Sequence, residues 1–210
     1  MAKKTDLRVI RTQKLIKEAF LTLIEKKGFE AITIQDIADE AVINRATFYL
    51  HYQDKYDLLE QISDSYLKEL MDVLNISFHL KKGEVNVKKF KITLKRILRN
   101  IEENSHFYKV MLGENGIPNF SSKIEKCLYD KFKGSFKEIL GDLNNLNIPY
   151  ELILCFISSA YIGVLKWWLN NDTKYSVDFM ADKLGNIITK GPMNAIGHKL
   201  IFLEENEDLD

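Results

Sequence analysis

The sequence predicts an all-α fold, with a three-helix unit at the N-terminus and a larger helical bundle behind it. Three observations carry this. Apolar residues recur three and four positions apart almost from end to end. The chain's three prolines, Pro118, Pro149 and Pro192, each stand where that period breaks. No segment alternates apolar and polar residues for long enough to build a sheet.

The first helix is expected from about Arg8 to Lys27. Ile16, Ala19, Phe20, Leu23 and Ile24 form one apolar stripe on it, and Gly28 ends it as a C′ glycine. Thr33 opens a short second helix, with Asp36 three residues on to complete a capping box. Ile34, Ile37 and Ala38 point inward. Ala41, Val42 and Ile43 turn the chain, and Asn44 caps a third helix from Arg45 to His51. Gln53 and Asp54 cap a fourth, from Lys55 to about Phe78, whose apolar positions begin with Tyr56, Leu58 and Leu59. The polar stretch His79 to Val87 interrupts the pattern. Further helices are expected at about 88–103, 105–112, 119–140, 150–170 and 175–190. Gly113, Gly116 and Pro118 form a loop. Gly141 closes one helix, and Pro149 stands in the first turn of the next, where its missing N–H costs least. These breaks divide the chain into residues 1–55, residues 56–190 and a tail, 191–210, that ends acidic.

Lys+Arg and Asp+Glu both number 30, so the chain is no generic polycation. The charges are unevenly placed. Lys3, Lys4, Arg8, Arg11, Lys14 and Lys17 face only Asp6 at the start, whereas Glu204, Glu205, Glu207, Asp208 and Asp210 crowd the end. This polarity fits either two solvated tails or an anionic partner near the N-terminus. Cys127 and Cys155 have no CxxC or histidine neighbourhood, which argues against structural zinc and disulfides and for buried free thiols in a reducing cytoplasm. The start of the chain lacks the apolar core of a signal peptide. Leu152 to Leu169, broken by Ser158, Ser159 and Lys166, reads as a buried helix and not a membrane span.

The informative segment is Thr33 to Lys55, TIQDIADEAVINRATFYLHYQDK. Two short helices flank a tight turn, with longer amphipathic helices on either side, which is the layout of a helix-turn-helix. Phe48 and Tyr52, four apart, are expected inside. Arg45, Ala46, Thr47, Tyr49 and His51 remain for the outer and leading surface. In a major groove, Arg45 can donate a bidentate pair to guanine, and Thr47 can bond a base edge or touch a thymine methyl. Tyr49 and His51 can reach phosphate oxygens. Lys55, with the N–H groups of its helix N-terminus, forms a candidate phosphate site, and Thr33 with its own helix forms another. Taken singly, Thr33 and Asn44 are ordinary caps, and Arg45 and Lys55 are ordinary solvated charges.

Leu15 to Leu59 resembles the TetR/AcrR family of transcriptional regulators. The resemblance rests on Gly28-Phe29-Glu30, Thr33, Ile37-Ala38, Thr47-Phe48-Tyr49-Leu50-His51-Tyr52 and Lys55-Tyr56-Asp57-Leu58-Leu59. It implies DNA contacts at Thr33, Gln35, Arg45, Ala46, Thr47, Tyr49, His51 and Lys55. One position departs: Val42 stands where the family's turn usually has glycine, and valine resists positive φ, so a slightly opened turn is expected. Asn104 to Phe120 and Phe156 to Asn186 resemble the C-terminal domain of one subgroup. That resemblance implies a homodimer through the helices at about 150–170 and 175–190.

The chemistry of the C-terminal half agrees in part. The helix from Tyr150 to Asn170 is apolar on several faces and must be covered on several sides, by its own core or by a second subunit. Phe107, Tyr108, Met111, Phe156, Tyr161 and Trp167 are candidates either for plain core or for the lining of an apolar effector pocket.

The expected function is therefore a cytoplasmic DNA-binding regulator, a repressor of a palindromic double-stranded operator released by an apolar small molecule. The alternative is a co-regulator of the same fold acting mainly through a protein partner. An enzyme is not expected, nor is a cofactor or metal. The chain has no phosphate loop, HExxH, GxSxG or Cys/His cluster, and His79, His106 and His198 stand alone.

Overall fold

The computed structural model describes residues 7–74, 80–81, 84–140 and 148–191. Its helices are α1 (Leu7–Lys27), α2 (Ile34–Glu40), α3 (Arg45–Tyr49), α4 (Lys55–Val73), α5 (Val87–Glu103), α6 (Ser105–Leu112), α7 (Phe120–Leu140), α8 (Tyr150–Asn170) and α9 (Val177–Lys190). The expected bounds hold to within two residues, except at the end of α4. The fourth helix stops at Val73, and Phe78 lies outside the described residues, as do Gly141, Pro192 and the acidic tail. The polar stretch before α5 holds a two-residue antiparallel pair, β1 (Leu80–Lys81) with β2 (Glu84–Val85), in the register Leu80 to Val85. An α-only reading missed this pair because two residues carry no periodicity.

Helices α1–α3 close around Phe48, which is fully buried with Ile16, Phe20, Ile24, Ile37 and Leu58. Burying an aromatic of this size stabilises by about 2–3 kcal/mol. Behind this unit, α5 packs on α9, α7 on α8, and α4 against both α5 and α7. Trp168 is buried in this second core, and its indole N–H donates to the Tyr175 carbonyl at 2.9 Å. Charges seal the α5–α9 seam: Lys91 pairs with Asp182 at 2.5 Å, and Lys95 pairs with Asp178. The Lys91 stem lies over Gly185, where an added Cβ would meet its Cγ at 2.7 Å.

The caps explain the boundaries. Gly28 takes φ 74° and its N–H donates to the Ile24 carbonyl, ending α1. Thr33 and Asp36 form the reciprocal capping box of α2, and the Asn44 side chain accepts from Ala46 N–H at 2.8 Å to start α3. Asp54, at the head of α4, accepts from both Tyr56 and Asp57 N–H.

The expected opening of the α2–α3 turn is corrected by the geometry. Val42 N–H donates to the Asp39 carbonyl and Ile43 N–H to the Ala38 carbonyl, the bond pair of a Schellman motif. Val42 occupies its left-handed position at φ 54°. The turn is closed, and a β-branched residue bears the strain that glycine would avoid. That strain is roughly 1–2 kcal/mol, against about 0.5–1 kcal/mol of extra chain entropy lost by a glycine. Val42→Gly is therefore expected to raise stability by about 0.5–1 kcal/mol in urea unfolding; a less stable variant would show that the valine is unstrained there.

Two further expectations need correction. Tyr56 is exposed, because it packs edge-on against Phe29 at the rim (5.2 Å, 78°) and does not enter the core. Of the two thiols, Cys127 is half-buried, and burial pushes its pKa up, whereas Cys155 is exposed on α8.

Candidate nucleic-acid interface and apolar cavity

The α3 segment divides cleanly between core and solvent. Phe48 and Tyr52 are buried, four residues apart, and their rings meet at 5.6 Å. Arg45, Ala46, Tyr49 and Leu50 are exposed, while Thr47 and His51 are half-buried. The Arg45 Nη2 donates to the Tyr49 hydroxyl at 3.2 Å, and its guanidinium lies 5.7 Å from that ring. This contact holds a flexible cation on the outer surface in a restricted set of rotamers.

On α2, Thr33 and Gln35 are exposed. Gln35 donates to Asp39 Oδ1 at 2.8 Å, one turn along. Two ion pairs clamp α2 to the end of α1, Lys27 to Asp36 at 2.8 Å and Lys26 to Glu40 at 3.1 Å. The Lys27 ammonium, then the Thr33 hydroxyl and N–H, hold the Asp36 carboxyl well below the usual carboxylate range. Two of the three α2 acids, Asp36 and Glu40, are thus paired with α1 lysines, which reduces their repulsion toward an anion.

Lys55 lies differently from the rest. Its Nζ donates to the carbonyls of Phe29 (3.1 Å) and Glu30 (2.9 Å) and sits 4.7 Å from the Phe29 ring. It ties the head of α4 to the α1–α2 turn. Two of the N–H groups at the head of α4 are already occupied, since Asp54 accepts from Tyr56 and Asp57, and just before the helix Asp57 accepts from Gln53 N–H. That last bond heads the causes that hold the Asp57 carboxyl low. Two carboxylates therefore stand at this terminus beside Lys55. The capping box likewise uses the Thr33 and Asp36 N–H groups.

Sequence reasoning missed Leu50 on this surface. It is the C-cap of α3, helical at φ −71°, ψ −18°, and 80% exposed. Its position opposite Phe48 on the helical wheel was the available signal.

A second feature lies in the C-terminal bundle. A narrow cavity of about 40 Å³ is enclosed by α4 (Leu70), the adjoining Leu74, α5 (Leu94, Ile97, Leu98, Ile101), α7 (Ile124, Leu128, Phe132), α8 (Tyr161, Ile162, Val164, Leu165, Trp168) and α9 (Met180, Leu184). The wall is wholly apolar; Tyr161 and Trp168 line it with their rings, and the Trp168 N–H is bonded to the Tyr175 carbonyl. Burial pushes the Tyr161 phenol up, so it stays neutral. Of the aromatics and methionine suspected from sequence, only Tyr161 lines this space. Phe107, Tyr108 and Met111 are core, whereas Phe156 and Trp167 lie on the outside.

That outside is the third feature. Leu152 (61% exposed), Phe156 (69%), Ala160, Gly163 and Trp167 form one stripe along α8. A Cβ at Gly163 would meet nothing within 4 Å among the described residues. Trp167, Tyr175 and Phe179 stack in sequence at 5.8 and 4.9 Å, carrying the stripe onto α9. By length and composition α8 is apolar enough to cross a membrane, and 33% of that stretch is buried within the chain.

A short helix that exposes its leading side chains while its inner aromatics lock it to a supporting bundle defines a helix-turn-helix protein. The comparisons with known proteins agree. Residues 16–62 match the model described as bacterial regulatory proteins, tetR family, and residues 89–190 match a transcriptional regulator C-terminal region. The HTH-type transcriptional regulator YerO of Bacillus subtilis (strain 168) is 31% identical over 206 residues, covering 91% of this chain and 70% of that one. The biofilm operon icaADBC negative transcriptional regulator IcaR of Staphylococcus aureus (strain Newman) is 29% identical over 157 residues, covering 71% and 81%. The solved FadR of Bacillus subtilis in complex with stearoyl-CoA shares the fold, with a TM-score of 0.59 at 15% identity over 85% of this chain and 98% of that one. The chain belongs to the tetR family of bacterial transcriptional regulators. Two further relatives, the HTH-type regulators YxbF and YuxN of Bacillus subtilis (strain 168), are longer, and the chain spans 45% and 50% of their length.

Proposed function

We propose that this chain is a cytoplasmic, homodimeric repressor that binds a palindromic double-stranded operator and is released by an apolar small molecule. The observation that carries the DNA half is the division of α3, with Phe48 and Tyr52 locked inside and Arg45, Ala46 and Tyr49 outside. Residues 1–55 hold the DNA contacts: Arg45 and Thr47 read base edges, while Thr33, Gln35, Tyr49 and His51 bond phosphates. Lys55 joins them by exchanging its carbonyl partners for a phosphate. Residues 56–190 supply the dimer and the effector cavity, and the reading gives the chain a regulatory and not a catalytic role.

The dimer reading rests on the α8–α9 stripe. Contiguous exposed apolar surface is costly in water, and two copies related by a two-fold cover it mutually in a four-helix bundle. Such a dimer sets two α3 helices about 34–36 Å apart, or a multiple, matching successive major grooves on one side of the duplex. IcaR, a negative regulator, supports the repressing direction.

The effector reading rests on the cavity wall. A charged group inside would lose its hydration without a partner, so the matching ligand is neutral where it is enclosed. The stearoyl-CoA complex of FadR supports a long apolar chain. A ligand larger than the present space must part the helices. Helix α4 bears Leu70 on the wall and Lys55 at its other end, about 22 Å away. Displacing α4 therefore moves the head of the helix, which Lys55 ties to the α1–α2 turn.

Selection of bound duplexes from random DNA by the purified full chain tests the function. The expected product is an inverted repeat bound by two copies. An absence of any enriched sequence would instead favour a co-regulator acting through a protein partner. For the effector, a neutral long-chain alcohol is expected to release the selected duplex from the wild type and to act weakly on Ile162→Trp, in which the cavity is filled. Equal release from both proteins would place the ligand elsewhere.

A further inference from the structure

Leu50 and Val42 are the two most exposed large apolar side chains among the described residues, at 80% and 89%. Single exposed leucines are common and need no explanation. Leu50 is not single. At 100° per residue, Ala46 and Leu50 each lie about 160° from Phe48, so together they form the ridge of α3 farthest from the core. Val42, in the turn, stands four residues before Ala46 and is exposed as well. Arg45 and Tyr49 flank this ridge on one side, Thr47 and His51 on the other. The face that projects deepest is apolar, and the polar groups stand on its shoulders.

We infer that Leu50 is a specificity-determining residue that packs on a thymine C5-methyl in each half-site. The inference rests on the DNA-binding reading above and goes beyond its polar contacts. Phosphates line the edges of a major groove, and leucine offers them no donor. Base edges present one apolar group that marks a particular base, the thymine methyl. Ala46, beside Leu50 on the ridge, is short enough to let the longer side chain reach the floor. Because Leu50 is exposed, its truncation leaves the fold intact.

The test uses the duplex selected by the wild-type full chain, with each thymine replaced in turn by deoxyuridine, which lacks only the methyl. At one thymine per half-site, wild-type affinity is expected to fall about fourfold per methyl, and about fifteenfold when both half-sites are changed. Leu50→Ala should bind the unmodified duplex more weakly, lose sensitivity to deoxyuridine at that position, and keep its Tm within about 2 °C. A 5-methylcytosine at that position should recover part of the wild-type affinity. Leu50→Ala retaining wild-type deoxyuridine sensitivity, or weakening all sequences alike, would overturn the inference while leaving DNA binding intact. If the wild type enriches no duplex at all, the DNA-binding reading and this inference fail together.

Discussion

Phe156→Glu is expected to convert the dimer to a monomer and to remove operator binding at any protein concentration near the wild-type Kd. Phe156 is 69% exposed in the single chain, so the substitution strains no internal contact. It lies in mid-stripe between Leu152 and Ala160. In the paired bundle a carboxylate there has no described cationic partner on its stripe, and two copies set it near its own image. Desolvating an unpaired charge costs several kcal/mol, which exceeds what a single aromatic contributes to association. The monomer keeps one α3 helix and with it only half of the base contacts. Sedimentation, with circular dichroism as the control for folding, separates this outcome from misfolding. A Phe156→Glu protein that remains dimeric would move the interface off α8.

Arg45→Ala is expected to lower operator affinity by about 1–3 kcal/mol per half-site and to relax preference at one base pair in each. The geometry strengthens this expectation over a generic surface arginine. The bond from Nη2 to the Tyr49 hydroxyl holds the guanidinium above the helix surface in the free protein. Less rotamer entropy is then lost on binding, so more of the bidentate contact appears as affinity. Selection from random DNA should return the wild-type motif with one column per half-site flattened. Uniform weakening with the motif unchanged would make Arg45 a phosphate contact. Lys55→Ala offers no clean contrast with Arg45→Ala, since its Nζ also holds the Phe29 and Glu30 carbonyls and its loss loosens the α1–α2 turn.

Much of the fold was legible because it is written in local signals. The stripe Ile16, Ala19, Phe20, Leu23, Ile24 is buried throughout. The caps at Thr33, Asn44 and Asp54 form the bonds their side-chain chemistry allows. What was not legible depends on where side chains go after the helices pack. Lysine at a helix N-terminus reads as a free anion contact, and only packing shows that Lys55 rests on two carbonyls of the α1–α2 turn in the chain without DNA. Valine in the turn reads as an opened loop, yet the two Schellman bonds and the buried flank of Ile43 outweigh its dihedral cost. The aromatics of the C-terminal half read alike in sequence. Only packing separates core (Phe107, Tyr108) from cavity (Tyr161) and outer face (Phe156, Trp167). Leu50 escaped notice for a similar reason: it reads as one more apolar residue until Phe48 fixes which way the helix faces.

The central claim is that two copies of α3 enter successive major grooves on the same side of one duplex. Inserting five base pairs at the centre of the selected operator tests it most directly, since half a turn rotates one half-site to the opposite face. Affinity for the lengthened duplex should fall to that of a single half-site, and ten inserted base pairs should restore the facing without restoring the distance. Undiminished binding to the five-base-pair insertion would contradict a rigid two-fold pair of recognition helices.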